Sequence, residues 1–402
     1  MLKPPPEDTE IGIETYVTQT PGLGGKIRAS VHHFIVEEVL KPDSLNLTRE
    51  GPDPGREWSY FILEKVNITT IDAVAWLSKT LGSQVRYLGL KDRRARAIQY
   101  IAIRTANPPP RLESADGRIL LRYIGSGTHP LTRRWLLGNR FKVCISDADL
   151  TLARSVLPLF EEGVRSKALA NFYGPQRFGL RAPGTHRIGE AIVKRRFDLA
   201  VQLLLHRSMS SPYQFEEGVV RYLGANPGQY LQALRRVPLK IRRLFVQAYQ
   251  SFLFNKTLSL AVQLGETLSQ VRSGDVYASI HPVEGISKPL GRATDNHIRD
   301  ASTIPLVPLA GYTLKPPKAR WERLLSQVLT EEGVTPQDFY IKELQELSLE
   351  GGFRAAPLIV PDFQYRIGPE TVELNFTLYR GSYATILLRE LMKPQDYAGA
   401  GF

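Results

Sequence analysis

Strand-patterned segments lie at both ends of this chain and helix-patterned segments fill its middle, an order that restricts the fold more than any other feature. β-branched and aromatic runs occur at Lys26–Val39, Ser59–Val66, Val85–Arg104 and Arg140–Asp147, all before about residue 180. From about Leu180 to Glu350 the pattern turns helical, as at Ile188–Leu205 and Lys240–Leu264, with Gly/Pro-rich joints between. From Phe353 it returns to strands and ends with a Gly-Ser turn into a helix closing at Lys393. A sheet-based domain that is interrupted by a second domain and then resumes accounts for this order, and 402 residues suffice for two or three domains.

Local signals sharpen the first part. Asn and Thr caps precede apolar Ile71, Val74, Ala75, Leu77 and Leu81 at helical spacing, which predicts a helix over 70–81; another is expected at about 150–168. Residues 1–25, rich in Pro, Gly and Thr, read as a poorly ordered arm, and 40–57 as a Pro/Gly/Asp loop. Between two apolar runs Lys91–Arg94 forms a compact polar turn, which sets Asp92 in a loop between strands.

Composition excludes several classes. The chain is 43% hydrophobic and 23% charged, as globular domains are, and no stretch nears the ~18–20 apolar residues of a membrane span. The opening MLKPPPEDTE carries acid and proline where a signal peptide needs a basic and then an apolar stretch, so the expected location is cytoplasmic. One cysteine, Cys144, rules out an intrachain disulfide and reads as a small buried hydrophobe. No two of the seven histidines have the i, i+4 spacing of helical metal ligands, and no metal is expected. Lys and Arg exceed acidic residues by 52 to 40, a net +12 that suits a polyanionic partner but equally keeps a protein soluble.

Familiar phosphate and nucleophile motifs are missing. PGLGGK at 21–26 lacks the earlier Gly and the Ser/Thr of a Walker loop, GSG at 125–127 lacks the rest of a dinucleotide fingerprint, and HExxH and GxSxG do not occur. Basic clusters stand at Lys91/Arg93/Arg94/Arg96, Arg133/Arg134, Lys194/Arg195/Arg196, Arg235/Arg236, Arg242/Arg243 and Lys315/Lys318/Arg320. Most such runs are solvated faces; lining one groove, a few would track an RNA backbone while an extruded base stacks on an aromatic ring.

Five segments, in order, carry a more specific signal. KIRASVHHFIVEE (26–38), GLKDRRARAIQ (89–99), GNRF (138–141), NFYGPQRFG (171–179) and RGSYATILLRELMK (380–393) together resemble the TruD family of pseudouridine synthases, with QSFLFN (250–255) as a weaker sixth match. The likeness covers most of 24–180 and 354–393. Ala97 stands where the family usually has Thr, and Val31-His32-His33 replaces a common Pro-Glu-Asp.

The resemblance implies an α+β catalytic domain built on a mainly antiparallel, mixed sheet and interrupted by an inserted α/β domain: 1–179 and 351–402 catalytic, 180–350 inserted. It implies isomerisation of uridine to pseudouridine in tRNA, with position 13 of the D arm as the expected site and a second tRNA site or another RNA still open; the chemistry itself calls for no cofactor, and a monomer is expected. Asp92 falls on the catalytic aspartate, Arg28 on a basic residue that would pair with it, and Asn139 and Phe141 on the substrate-binding Asn and stacking Phe. Lys91, Arg93, Gln176 and Arg177 are candidate RNA contacts.

Read by position alone, Asp92 is a surface carboxylate, Arg28 a surface arginine, Phe141 a core ring, Asn139 a turn residue and Gln176 and Arg177 braces of a tight turn. A carboxylate beside C1′ and C2′ of a ribose can stabilise developing positive charge, attack as a nucleophile or take a ribose proton. Two other readings stand at this point: a catalytically silent RNA-binding protein or chaperone of the same fold, and a glycosidase that releases free base.

Overall fold

The structure, a computed structural model, describes residues 2–45, 47, 58–105, 107–179, 184–208, 214–294 and 300–402. Most of the loop expected at 40–57 lies outside the described residues. In the first part, a single turn α1 (Pro6–Thr9) precedes β1 (Gly24–Lys26), β2 (Phe34–Leu40), β3 (Trp58–Val66), α2 (Thr70–Leu81), β4 (Val85–Tyr87) and β5 (Arg96–Ile103). There follow β6 (Arg111–Glu113), β7 (Ile119–Gly127), β8 (Leu136–Ala148) and α3 (Leu150–Arg165).

The middle holds α4 (Thr185–Val193), α5 (Phe197–Ser208), α6 (Gln214–Ala225), α7 (Tyr230–Leu234) and α8 (Leu239–Gln263), then β9 (Val276–His281), β10 (Gly285–Ile286), β11 (Gly291–Arg292), β12 (Thr303–Leu309) and α9 (Arg320–Glu331). The chain closes with β13 (Gly352–Ala355), β14 (Gln364–Ile367), β15 (Thr371–Tyr379) and α10 (Ala384–Met392).

The two ends of the chain build one ten-stranded sheet, in the order β14-β15-β8-β2-β5-β3-β7-β6, with β1 added to β8 and β4 to β5. All its pairings are antiparallel except β2 with β5, which gives the mixed, mainly antiparallel sheet of the expected α+β class. A second, antiparallel sheet joins β10, β9, β12 and β13, with β11 beside β9, so the strand just past residue 350 pairs with the segment before it.

Helix α2 begins and ends where its sequence signals place it. The Thr69 hydroxyl caps the N–H of Asp72, and Gly82 in the left-handed region ends it. Its buried face is Thr70, Ala73 and Leu77, packed on β3 and β5, while Ile71 is 60% exposed. The spacing found the helix, but the sheet selected a face turned from the one the apolar count suggests. Asp149 caps α3, whose Val156, Leu157 and Phe160 are buried in the core that the helix shares with β14 and β15.

Helix α8 is buried on nearly all sides, as a helix wedged between two cores must be. Ala248, Phe254 and Leu258 face the core of the large sheet, and Phe245, Val246 and Leu253 the helical core. The helix expected at 188–205 is two, because Arg195 takes a left-handed turn (φ 58°) within the basic run 194–196.

The N-terminal arm is a packed strap, not a loose one. Ile11, Ile13, Tyr16 and Leu23 are buried, the Asn255 amide and the Ser259 hydroxyl of α8 donate to the Ile11 and Gly12 carbonyls, and Arg389 of α10 binds both Asp8 and the Thr15 carbonyl. Its apolar residues and free carbonyls find partners only once α8 and α10 are in place. Cys144 is half-buried, not buried. Among the described residues no helix is long and apolar enough to cross a membrane.

Candidate active site

The one parallel pairing in the large sheet positions the site. Because β2 and β5 run side by side in the same direction, the segments entering them meet at one end of the sheet, bringing Arg28 and Asp92 together across 64 residues. One Arg28 Nη lies 2.9 Å from Asp92 Oδ2 and the other donates to the Gly401 carbonyl at 2.8 Å, while the guanidinium lies 4.1 Å over the Phe34 ring. The Arg28 side chain is 7% exposed and that of Asp92 41%, so the pair sits at a cavity mouth with the cation inward. Arg28 also holds a left-handed backbone (φ 58°), a strained conformation of the kind found at functional positions.

The sheet supplies the floor. Antiparallel pairing of β8 puts Phe141 opposite Val36 on β2 and Phe376 on β15. Phe141 stacks on Phe376 at 5.3 Å and meets Phe34 edge-on at 6.0 Å. Asn139, two residues earlier on the same face, has an amide oxygen that is buried without a hydrogen-bond partner. Strand β8 approaches this closely because residue 138 is glycine: a Cβ there would lie 2.0 Å from the Leu378 carbonyl.

These residues, with Lys91, Leu90, Gln176 and the turn Ser382–Thr385 at the start of α10, line a cavity of about 180 Å³ around Asp92. Two more polar atoms on its wall, Arg28 Nε and the Thr385 hydroxyl, are buried and unpartnered. Buried polar groups are nearly always paired, so three unpaired ones around one cavity mark a place for a polar ligand. Desolvation lowers the Arg28 pKa; Asp92 opposes that and Arg94 adds to it.

The loop bearing Asp92 is latched from below by residues that sequence reasoning missed. Lys65, wholly buried on β3, donates to the Asp92 and Ile68 carbonyls at 2.7 and 2.8 Å. Burial pulls its ammonium down to about 8, with Asp92 working against that and Lys91 reinforcing it. Gln99 donates to the Gly89 carbonyl and Thr70 accepts from the Lys91 N–H. Gln99 stands in the motif GLKDRRARAIQ and Thr385 in RGSYATILLRELMK, so both were within reach; Lys65 looks like any charge at a strand end.

Of the expected residues, Asp92, Arg28, Asn139, Phe141, Lys91 and Gln176 line the cavity, and Arg93 lines the adjoining one. Lys91 and Arg177 do not present free cations. Lys91 Nζ is 2.6 Å from Glu38, with both side chains buried, and Arg177 donates to Ser251 and Gln247 of α8. One arginine in each of two other basic clusters is likewise absorbed by the fold: Arg320 binds Asp275 and Glu266, and Arg242 binds Glu346. Among the described residues no three His, Cys, Asp or Glu side chains group as metal ligands.

Known proteins resemble this chain in sequence and in fold. A profile of the family described as tRNA pseudouridine synthase D (TruD) matches residues 10–211 and 205–391. Relatives named probable tRNA pseudouridine synthase D are 32% identical in Pyrobaculum arsenaticum, with 100% of both chains covered, and 30% identical in Pyrococcus furiosus, with 95% of this chain and 99% of that one covered. A crystal structure assigned to TruD from Methanosarcina mazei has a TM-score of 0.80 at 25% identity, over 98% of this chain and 99% of that one. With a profile spanning the chain from residue 10 to 391 and full-length relatives at this identity, the chain belongs to the TruD family of tRNA pseudouridine synthases.

Proposed function

We propose that this protein isomerises uridine to pseudouridine in tRNA, at position 13 of the D arm, with Asp92 as the catalytic carboxylate. The observation that carries the reading is the ion pair of Asp92 with Arg28 at the mouth of a cavity floored by Phe141 and bordered by the unpartnered Asn139 oxygen. The D-arm position follows the family resemblance. Residues 1–179 and 351–402 form the catalytic part and 180–350 the insertion, with β13 lent to the insertion's sheet.

The reaction breaks the N1–C1′ bond, turns the uracil and joins C5 to C1′, after which C5 gives up its proton and the freed N1 takes one up, so that composition is unchanged. No net oxidation occurs and no group is donated, so the balance calls for no cofactor. The Asp92 carboxylate faces the sugar, where it stabilises positive charge, attacks C1′ or takes a ribose proton. Arg28 holds it in place, Phe141 gives the detached ring a face to turn against, and Asn139 meets the edge of the pyrimidine. Arg93 and Gln176 contact the RNA outside.

Unmodified tRNA transcripts incubated with the protein and mapped by carbodiimide primer extension should show a stop at position 13, absent with Asp92→Ala. Product from the variant refutes the assigned role. A loss of mass from the RNA would show base release instead of isomerisation. A silent RNA-binding protein would form no product, and Asp92→Asn would do its whole job.

A further inference from the structure

The cavity around Asp92 is not alone. A larger one of about 590 Å³ adjoins it, sharing Arg28, Asp92 and Gln176 and adding Asn67, Arg93, Arg94, Gly401 and Phe402. Sites for drug-sized ligands run to about 300–1,000 Å³, so the inner space suits a single pyrimidine and the outer one a nucleotide.

The charge of the outer cavity is one-sided. Arg28, Arg93 and Arg94 face one carboxylate, Asp92, which Arg28 already holds. Arg93 and Arg94 are exposed, and among the described residues neither side chain makes an ion pair or hydrogen bond. Arg94 is near enough to Arg28 for its charge to disfavour the Arg28 cation. The inward-lying Arg28 keeps its buried Nε unpartnered as well. A concave group of guanidiniums with too few anions is the surroundings that a phosphate completes.

Another part of the wall is aromatic and held in place. Phe402 is half-buried, packs edge-on against Tyr397 at 5.0 Å and donates its N–H to the Tyr397 carbonyl at 2.9 Å. The preceding residues are docked on the segment entering β2: the Ile27 N–H donates to the Ala400 carbonyl, and Arg28 to that of Gly401. Gly401 (φ 82°) is needed there, since a Cβ would lie 2.0 Å from the Ile27 carbonyl. A ring held in the wall of a cavity that guanidiniums also line can serve as a stacking platform, tolerant of which base it meets. Asn67 adds an amide able both to donate and to accept.

We propose that the outer cavity is a subsite for the nucleotide next to the target uridine, its base against Phe402 and its phosphate between Arg93 and Arg94. The identity of the inner occupant rests on the pseudouridine reading; the subsite itself is tested separately. Arg28, bound to both Asp92 and the Phe402 segment, is the wall common to the two chambers, so filling the outer one would set the inner one.

Transcripts with an abasic residue 5′ or 3′ of the target uridine test this against wild type and Phe402→Leu, reading kcat/KM and Kd. Phe402→Leu should lower kcat/KM about tenfold, as should one of the two abasic changes, and the two together should be no worse than either. Phe402→Tyr, which keeps the ring, should behave as wild type. Losses that multiply for both neighbours would overturn the proposal. Arg94→Ala should reduce the slope of log Kd against log salt by about one, and an unchanged slope would overturn the phosphate half. If wild type forms no pseudouridine at all, the isomerase reading fails, and the same coupling measured in Kd still decides the subsite.

Discussion

Replacing Asp92 by Asn removes one charge and almost nothing else, and the structure sets how the loss divides between stability and catalysis. The Asn side chain keeps an oxygen for the Arg28 Nη that now binds at 2.9 Å, and Arg28 keeps its bond to Gly401 and its seat over Phe34. The pair is intermediate, buried on the Arg28 side and 41% exposed on the Asp92 side. Exposed pairs contribute less than ~1 kcal/mol and broken buried ones cost ~3–5, so a loss of about 1–2 kcal/mol is expected. For a chain of this length the unfolding entropy is on the order of 0.8 kcal/mol per degree, which makes the fall in Tm about 1–3 °C. Catalysis should fall far more, by about 10²–10⁴-fold, the range for losing a charged group at a reacting centre. Thermal melting and carbodiimide mapping under single-turnover conditions measure the two. A variant within tenfold of wild type, or one that loses activity only because it melts more than about 6 °C lower, refutes the role argued for Asp92.

Three further variants test other parts of the fold. Lys65→Met should lower kcat about tenfold with little change in KM, because the Asp92 carbonyl loses its latch; an effect on KM alone would argue against a positioning role. The folded Lys65 titrates near 8 against 10.5 unfolded, so the unfolded state binds more protons between those values and stability rises with pH across that window. The penalty for the buried charge, roughly 3 kcal/mol, is fully present below about pH 8, and the Tm of wild type relative to Lys65→Met should climb from pH 8 to 10. Arg389→Met strands the buried Asp8 and Glu390 carboxylates and should cost about 3–5 kcal/mol in denaturant unfolding; less than 1 would show the N-terminal strap to be loosely held. Gly138→Ala, which drives a Cβ into the Leu378 carbonyl, should cost about 1–3 kcal/mol and displace Asn139; a variant with wild-type Tm would contradict the close pairing of β8 and β15.

Much of the candidate site was legible because its residues stand in short, distinctive segments. GLKDRRARAIQ, GNRF and NFYGPQRFG pointed to Asp92, Asn139, Phe141 and Gln176, and the structure gathers all four around one cavity. Lys91 and Arg177 were legible as cations but not as free ones. Their partners, Glu38, Ser251 and Gln247, lie 53, 74 and 70 residues away, and only folding brings them into contact.

What the sequence determined by itself was local or ordinal: the capped helix at 70–81, a helix expected at 240–264 and found at 239–263, the loop carrying Asp92, and the order of blocks that makes one sheet from both ends of the chain. These follow from neighbours within a few residues, or from patterns that any partner would satisfy. Tertiary structure alone decided that β2 and β5 run parallel and so join Arg28 to Asp92, that Ile71 faces outward, that the N-terminal segment is strapped to α8 and α10, and that Phe402 lines the outer cavity. Each depends on burial and on hydrogen-bond partners supplied by distant segments, and a side chain's share of either is set only when those segments have packed.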